Sequence, residues 1–228
     1  MTRMLVLDTE TGGIDPMANS ILSLGAVVWD DGVLGAEFEV KIKEPVLSLT
    51  IEAMGINKID LVEHAKTALT PTDAMKKFRA FLKKHFKSDD KIPLVGHNVA
   101  FDIGFLKRLC RLTEQNYDAI FSHRSTDTAG ILRFMALAGR SNLNGAGLDE
   151  ALAHFNVAMN GGLRHTALED ARATAVLLTK LVELAKPVAA PAPKLRAKRS
   201  KLAAKANRSG VQHKRNGSAR THTSETRP

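Results

Sequence analysis

Several features are scarce or absent in this chain of 228 residues, and each absence excludes a class of protein. Cys110 is the only cysteine, which rules out an internal disulfide and fits a reducing compartment. The N-terminus, MTRMLVLDTE, lacks the long apolar stretch and small-residue cleavage site of a signal peptide. No apolar run approaches the roughly 20 residues that cross a bilayer. These absences predict a soluble protein of the cytoplasm.

The C-terminal stretch lacks the side chains that a folded segment needs. Residues 187–228 contain no aromatic residue and few large aliphatic ones, so they bury too little apolar surface to offset the entropy of ordering. We therefore predict a folded domain over 1–186 and a disordered tail over 187–228. This tail holds 11 Lys and Arg and one acid, Glu225, which leaves 22 basic and 23 acidic residues in the domain. The net charge of +9 thus belongs to the tail, as a tether to nucleic acid or as a solvated appendage.

The hydrophobic pattern changes from period 2 to period 3.6 along the domain. It predicts strands near 4–8, 21–29 and 38–43, with a hairpin turn at Asp31-Gly32. A fourth strand is predicted over 91–96, and helices over 72–86, 99–112, 128–138, 147–155 and 167–185. Three strands followed by alternating helix and strand favour an α/β domain with a mixed sheet.

Two acids lie at the end of the first predicted strand. Asp8 and Glu10 share one side of this strand because side chains alternate between its faces. Two carboxylates this close repel each other unless a cation lies between them, and hard ions such as Mg²⁺ and Mn²⁺ prefer oxygen ligands. The alternative is that the two acids cap a loop or pair with a lysine.

A second polar cluster, His97-Asn98-Val99-Ala100-Phe101-Asp102, leads from a strand into a helix. Asn98 suits the N-cap position, and Asp102 would lie in the first helical turn. An acid there also stabilises a helix terminus without any further role, and His97 and Asn98 could be plain turn residues.

A third cluster, His165 to Asp170, begins the last predicted helix. Thr166 and Glu169 have the spacing of a capping box, which places the helix start near Ala167. His165 then lies just outside the helix, next to a carboxylate on it, as a general base for water would. A surface histidine is the alternative.

Together the three clusters resemble the DEDDh exonuclease family, which includes polymerase proofreading subunits, ribonuclease T and oligoribonuclease. The resemblance covers about 1–185, including the segment 45–64 and the stretch Thr126-Asp127-Thr128. It implies an RNase H-like fold, in which helices flank a mixed five-stranded sheet and the acids gather at one edge.

The resemblance also implies an activity and roles for the acids. The family hydrolyses nucleic acid from the 3′ end and releases nucleoside 5′-monophosphates. By analogy, two Mg²⁺ or Mn²⁺ ions would be bound by Asp8, Glu10, Asp102 and Asp170, and Asp8 would bridge them. His165 would deprotonate the attacking water, which its ordinary pKa near 6.5 permits at neutral pH.

Residues beside the acids are candidates for holding the terminal nucleotide. The expected set is Thr9, Thr11, Ile14, Asn98 and Phe101, with Ile14 as an apolar wedge against the last base. Core packing is an equal alternative for Phe101, and a helix cap is favoured for Asp127. Gly12-Gly13 replaces a threonine common in proofreading relatives, which leaves DNA or RNA open as the substrate. A polymerase partner and a non-catalytic module that binds nucleic acid through the tail are further alternatives.

Overall fold

A computed structural model describes residues 3–87, 89–141, 143, 147–157 and 166–187. The elements, in chain order, are β1 (Arg3–Thr11), β2 (Ile21–Asp30), β3 (Val33–Lys41), α1 (Ile51–Asn57), α2 (Leu61–Thr67), α3 (Pro71–His85), β4 (Ile92–Gly96), α4 (Val99–Leu112), α5 (Tyr117–Ile120), β5 (Phe121–Asp127), α6 (Thr128–Leu137), α7 (Leu148–His154) and α8 (Ala167–Ala185). The predicted tail beyond Pro187 lies outside the described residues, so its disorder stays a prediction.

The five strands form one mixed sheet in the order β3-β2-β1-β4-β5. β1, β2 and β3 pair antiparallel, whereas β4 and β5 are parallel to β1. Asp31 and Gly32 both have positive φ, which is the backbone of a tight hairpin turn and confirms the turn predicted between β2 and β3. The predicted mixed five-stranded sheet is therefore confirmed.

Alternation along β1 divides the core between the two faces of the sheet. Leu5 and Leu7 pack on one face in the cluster that contains side chains of α3 and α4. Val6 packs on the other face with Ala171 and Leu178 of α8. β2 is buried along nearly its whole length because both of its faces are covered. This division fixes the side of the sheet to which each residue at the end of β1 belongs.

Each predicted helix is present within about two residues of its expected bounds. Thr166 accepts a hydrogen bond from the Glu169 backbone N–H and caps α8, which begins at Ala167 as the capping box predicted. α1, α2, α5 and β5 had no separate prediction from periodicity. Among the described helices, none is both long and apolar enough to span a membrane.

Candidate active site

Three carboxylates meet where β1 ends and α8 begins. Asp8 and Glu10 project from β1 toward the face that α8 covers, and Asp170 lies in the first turn of that helix. One carboxylate oxygen from each of the three lies within 4.8 Å of the others, and all three side chains are half-buried. The structure thus brings together three of the four acids that the sequence nominated as metal ligands.

Asp102 reaches the same region from the opposite face of the sheet. It lies in the first turn of α4 and is 3% exposed. Thr9, between Asp8 and Glu10, donates both its backbone N–H (2.9 Å) and its hydroxyl (2.8 Å) to Asp102 Oδ1. With one carboxylate oxygen held by Thr9, Oδ2 is the oxygen of Asp102 that is better placed to bind a ligand.

The site holds its acids at an electrostatic cost. Burial, and then the negative charge of Asp170, raises the pKa of Glu10 from 4.5 to about 7. Burial likewise raises the pKa of Asp102 from 3.8 to about 7, against the hydrogen bonds from Thr9, and the charge of Glu10 adds to the rise. A cation among these groups would favour their ionised forms.

The donor chemistry fits a hard divalent ion. The gathered groups offer carboxylate oxygens alone, which suit Mg²⁺ and Mn²⁺ better than softer metals that prefer sulfur or imidazole. Crowded, partly buried carboxylates with raised pKa values are also a frequent mark of functional sites.

A cavity of about 420 Å³ adjoins the carboxylates. Glu10 and Thr11 line it, and Ile14, Ile56 and Phe101 contribute apolar side chains. Ile14 is 86% exposed, so its side chain is available to a ligand. Phe101 also packs on Phe105, with ring centroids 5.0 Å apart, so it serves the core as well as the cavity.

The remaining nominated residues occupy varied environments. The Thr11 hydroxyl donates to Gly13 O (2.7 Å), and so, like the Thr9 hydroxyl, it is engaged within the protein. Asn98 is exposed in the left-handed conformation at the N-cap of α4, but its side chain does not make the expected capping bond. Asp127 caps α6 and accepts the Asn98 backbone N–H (2.8 Å), in agreement with the helix cap favoured for it. His165 lies outside the described residues, so its role stays a prediction.

Sequence patterns missed the contribution of α1. Ile56 lines the cavity, and Asn57, which is 6% exposed, donates its side-chain amide to Thr11 O (3.0 Å) and braces the end of β1. The available signal was the pair of large apolar residues Ile51 and Ile56 on one short segment, and of these two Ile56 lines the cavity. Such residues on a surface helix often mark a ligand-binding surface.

Comparisons with known proteins agree with this geometry. The chain matches a family described as exonuclease, of the ribonuclease T type, over residues 5–178. It is 28% identical over 203 residues to ribonuclease T of Wigglesworthia glossinidia brevipalpis (84% of this chain, 90% of the relative). It is 27% identical to a PolC-type DNA polymerase III of Thermotoga petrophila, over 81% of this chain and 12% of that protein.

Solved structures of exonuclease I share the fold. The Escherichia coli enzyme in complex with a dA16 oligonucleotide superposes with a TM-score of 0.65 at 18% identity. The match covers 81% of this chain and 41% of that one, so the chain spans about two fifths of these exonuclease I proteins. The predicted RNase H-like fold is thereby confirmed. On the family match over residues 5–178, this chain belongs to the DEDDh-type 3′–5′ exonuclease family.

Proposed function

We propose that this chain removes nucleotides one at a time from the 3′ end of single-stranded nucleic acid by metal-assisted hydrolysis. The observation that carries the proposal is the meeting of Asp8, Glu10 and Asp170 within 4.8 Å, with Asp102 beside them. Two Mg²⁺ or Mn²⁺ ions held by these four carboxylates would activate water and stabilise the leaving oxygen of an in-line displacement. Release of nucleoside 5′-monophosphates is part of this proposal.

The protein's own residues would divide the remaining work. Asp102, fixed at one oxygen by Thr9, would offer the other to a metal ion. The cavity walled by Ile14, Ile56 and Phe101 accepts the terminal base by apolar contact, which every base can make. His165 is proposed as the general base that accepts the proton of the attacking water. Thr9, Thr11 and Asn98 stay candidates for contacts with the terminal nucleotide.

Single-stranded 3′ ends, DNA or RNA, are the expected ligands. Among the relatives, ribonuclease T matches over most of its length, whereas the PolC-type polymerase matches over a small part. A polymerase partner, a cytoplasmic location and a substrate tether in the basic tail stay predictions. Truncation at 187 tests the tether, which predicts weaker binding of long substrates mainly at low salt.

The first experiment follows 5′-labelled DNA and RNA single strands with Mg²⁺ or with EDTA. We expect stepwise shortening from the 3′ end that requires Mg²⁺, with mononucleotides as products. Asp8→Asn and Asp102→Asn should lose more than the roughly 100-fold that changes in outer-shell partners of a metal site cost. Asp30→Asn is the matched control, because Asp30 pairs with Arg3 on the exposed surface at the other end of the β1–β2 ladder.

Different outcomes would contradict different parts of the proposal. Full activity in Asp8→Asn would exclude the carboxylate site as the metal centre. Binding of single strands without any hydrolysis would favour a non-catalytic module. The sugar that reacts faster identifies the substrate class.

A further inference from the structure

On the face of β2 that packs on α8, the side chains become smaller toward the active site. At the far end, Trp29 donates its indole N–H to the Thr179 hydroxyl in the second half of α8 (2.9 Å). Val27 follows, in a cluster with Ala171 and Ala175. Gly25 is the next residue on this face, and it has no side chain. The helix can therefore approach the sheet most closely at its N-terminal end.

At Gly25 the approach is between two backbones. A Cβ at this position would lie 2.2 Å from the carbonyl carbon of Ala167 and 2.3 Å from the backbone N of Leu168. Ordinary contacts of a Cβ begin near 3.4 Å. Because the obstructing atoms are backbone, rotation of a side chain could not relieve the clash. Any residue other than glycine requires the first turn of α8 to move by at least about 1 Å.

The register of the sheet shows why this position matters. Gly25 is the β2 partner of Asp8, so the first turn of α8 crosses the β1–β2 ladder beside the first carboxylate. Asp170 lies three residues after Ala167 in the same turn. The close approach at Gly25 is thus what brings Asp170 within 4.8 Å of Asp8 and Glu10.

A second contact ties the next turn of α8 to β3. Arg172 donates its Nε to Glu37 Oε1 (2.7 Å) and a terminal nitrogen to the other oxygen of Glu37. It also pairs with Glu169, which precedes Asp170. Backbone contact on β2 and an ion pair to β3 together fix the position of the start of α8 on the sheet.

We propose that Gly25, assisted by Arg172, is a positioning residue for divalent-metal binding, because it sets the distance between Asp170 and the two acids of β1. This inference rests on the proposed function, since it assumes that these acids hold a metal ion. Mg²⁺ requires ligand distances near 2.0–2.1 Å in octahedral geometry, so a shift of about 1 Å removes a carboxylate from the shell. Misplacement on this scale can cost about 100-fold in activity.

The test is direct calorimetric titration of Mn²⁺ into the full chain. Gly25→Ala should bind Mn²⁺ at least about tenfold more weakly than wild type, approaching Asp170→Asn, which removes the ligand charge. Its oligonucleotide affinity in EDTA should stay within about twofold of wild type, because the cavity wall is untouched. Gly35→Ala is the matched control: it adds the same methyl group to neighbouring β3, where the nearest atom would be 3.3 Å away.

The outcomes separate this inference from the proposed function. Wild-type Mn²⁺ affinity in a folded Gly25→Ala variant would overturn the inference, provided that Asp8→Asn has lost affinity. If wild type and Asp8→Asn bind Mn²⁺ equally, the proposed metal site itself is wrong. If Gly25→Ala does not unfold cooperatively in EDTA, the variant is not properly folded, and Mn²⁺ binding by Arg172→Met tests the inference instead. Arg172→Met removes the ion pair that ties the start of α8 to β3, and we expect about threefold weaker binding. Unchanged affinity would overturn the inference.

Discussion

At the scale of single residues, Thr9 lines the cavity and also holds a carboxylate of the site in place. It was nominated as a nucleotide contact, yet its hydroxyl and backbone N–H both donate to Asp102 Oδ1. Thr9→Val keeps the shape and removes the hydroxyl, so only the backbone N–H of residue 9 still holds Asp102. We expect kcat to fall about 10- to 100-fold and the Mg²⁺ requirement to rise, as for other partners that orient metal ligands.

Thr9→Ser is the control for this substitution, because it retains the hydroxyl and should keep activity within a few-fold of wild type. Steady-state kinetics across Mg²⁺ concentrations measure both variants. A rise in KM for the oligonucleotide at unchanged kcat would show instead that the Thr9 hydroxyl binds the nucleotide.

The sequence predicted the site residues that act through a characteristic side chain. The period of the strand correctly placed Asp8 and Glu10 on one face, and the capping box located the helix that carries Asp170. The role of Gly25 left no such signal, because a glycine within an apolar strand does not reveal which backbone approaches it. The partner of Thr9 lies 93 residues away in sequence and depends on tertiary structure.

At the scale of elements, Arg108 of α4 forms a buried ion pair with Glu44, beyond β3, and also binds the loop that carries Ile14. Arg108 binds both oxygens of Glu44 (2.9 and 2.7 Å) and donates to the carbonyls of Pro16 and Met17 (both 3.1 Å). The side chains are 15% and 3% exposed. Arg108→Met would leave the Glu44 carboxylate buried without its charged partner. We therefore expect the free energy of unfolding, measured in urea, to fall by about 3–5 kcal/mol.

Arg111→Met provides the comparison on the same helix. Arg111 reaches the same loop from an exposed position with a 3.3 Å hydrogen bond to Pro16 O, so its loss should cost less than about 1 kcal/mol. Equal decreases in the free energy of unfolding of the two variants would contradict the larger stabilisation assigned to the buried ion pair. Because Arg108 stabilises the loop beneath Ile14, Arg108→Met should also raise KM for single strands more than it lowers kcat.

The elements that periodicity missed share a physical reason. β5 reads Phe121-Ser-His-Arg-Ser-Thr-Asp127 and is mostly exposed or half-buried at the sheet edge, so it lacks the apolar alternation of an internal strand. α1 and α2 have seven residues each and little buried surface, so the 3.6-residue period is hardly sampled. α3 and α4, by contrast, place several apolar side chains in the core, and their bounds were predicted closely.

At the scale of the whole molecule, the domain concentrates negative charge at one edge of its sheet although it is about neutral overall. Folding therefore brings Glu10 and Asp102 together and raises the pKa of each to about 7, chiefly through burial. Carboxylates crowded in this way destabilise the folded protein when they ionise. The same ionised form is the one that binds a metal ion. Stability and metal binding should then depend on pH in opposite directions.

This opposition can be measured by thermal unfolding in EDTA. Between about pH 4.5 and 7 the folded chain retains a proton on Glu10 that the unfolded chain releases, so stability is lost as pH rises through this window. Glu10→Gln does not ionise, so its Tm should rise relative to wild type by at least about 3 °C across the window, as roughly 1 kcal/mol would produce. With added Mg²⁺ above pH 7, the Tm of wild type should exceed that of Glu10→Gln, because wild type then binds the ion with a full set of ligands.

Glu37→Gln tests the sign of this effect. The hydrogen bond from Arg172 lowers the pKa of Glu37, so that carboxylate stabilises the fold above its ordinary pKa and this stability is lost as pH falls. The Tm of Glu37→Gln relative to wild type should therefore fall as pH rises, opposite to Glu10→Gln. Parallel pH profiles for Glu10→Gln and wild type in EDTA would mean that Glu10 folds in ionised form. The crowding of carboxylates would then not be the reason that this site needs a metal.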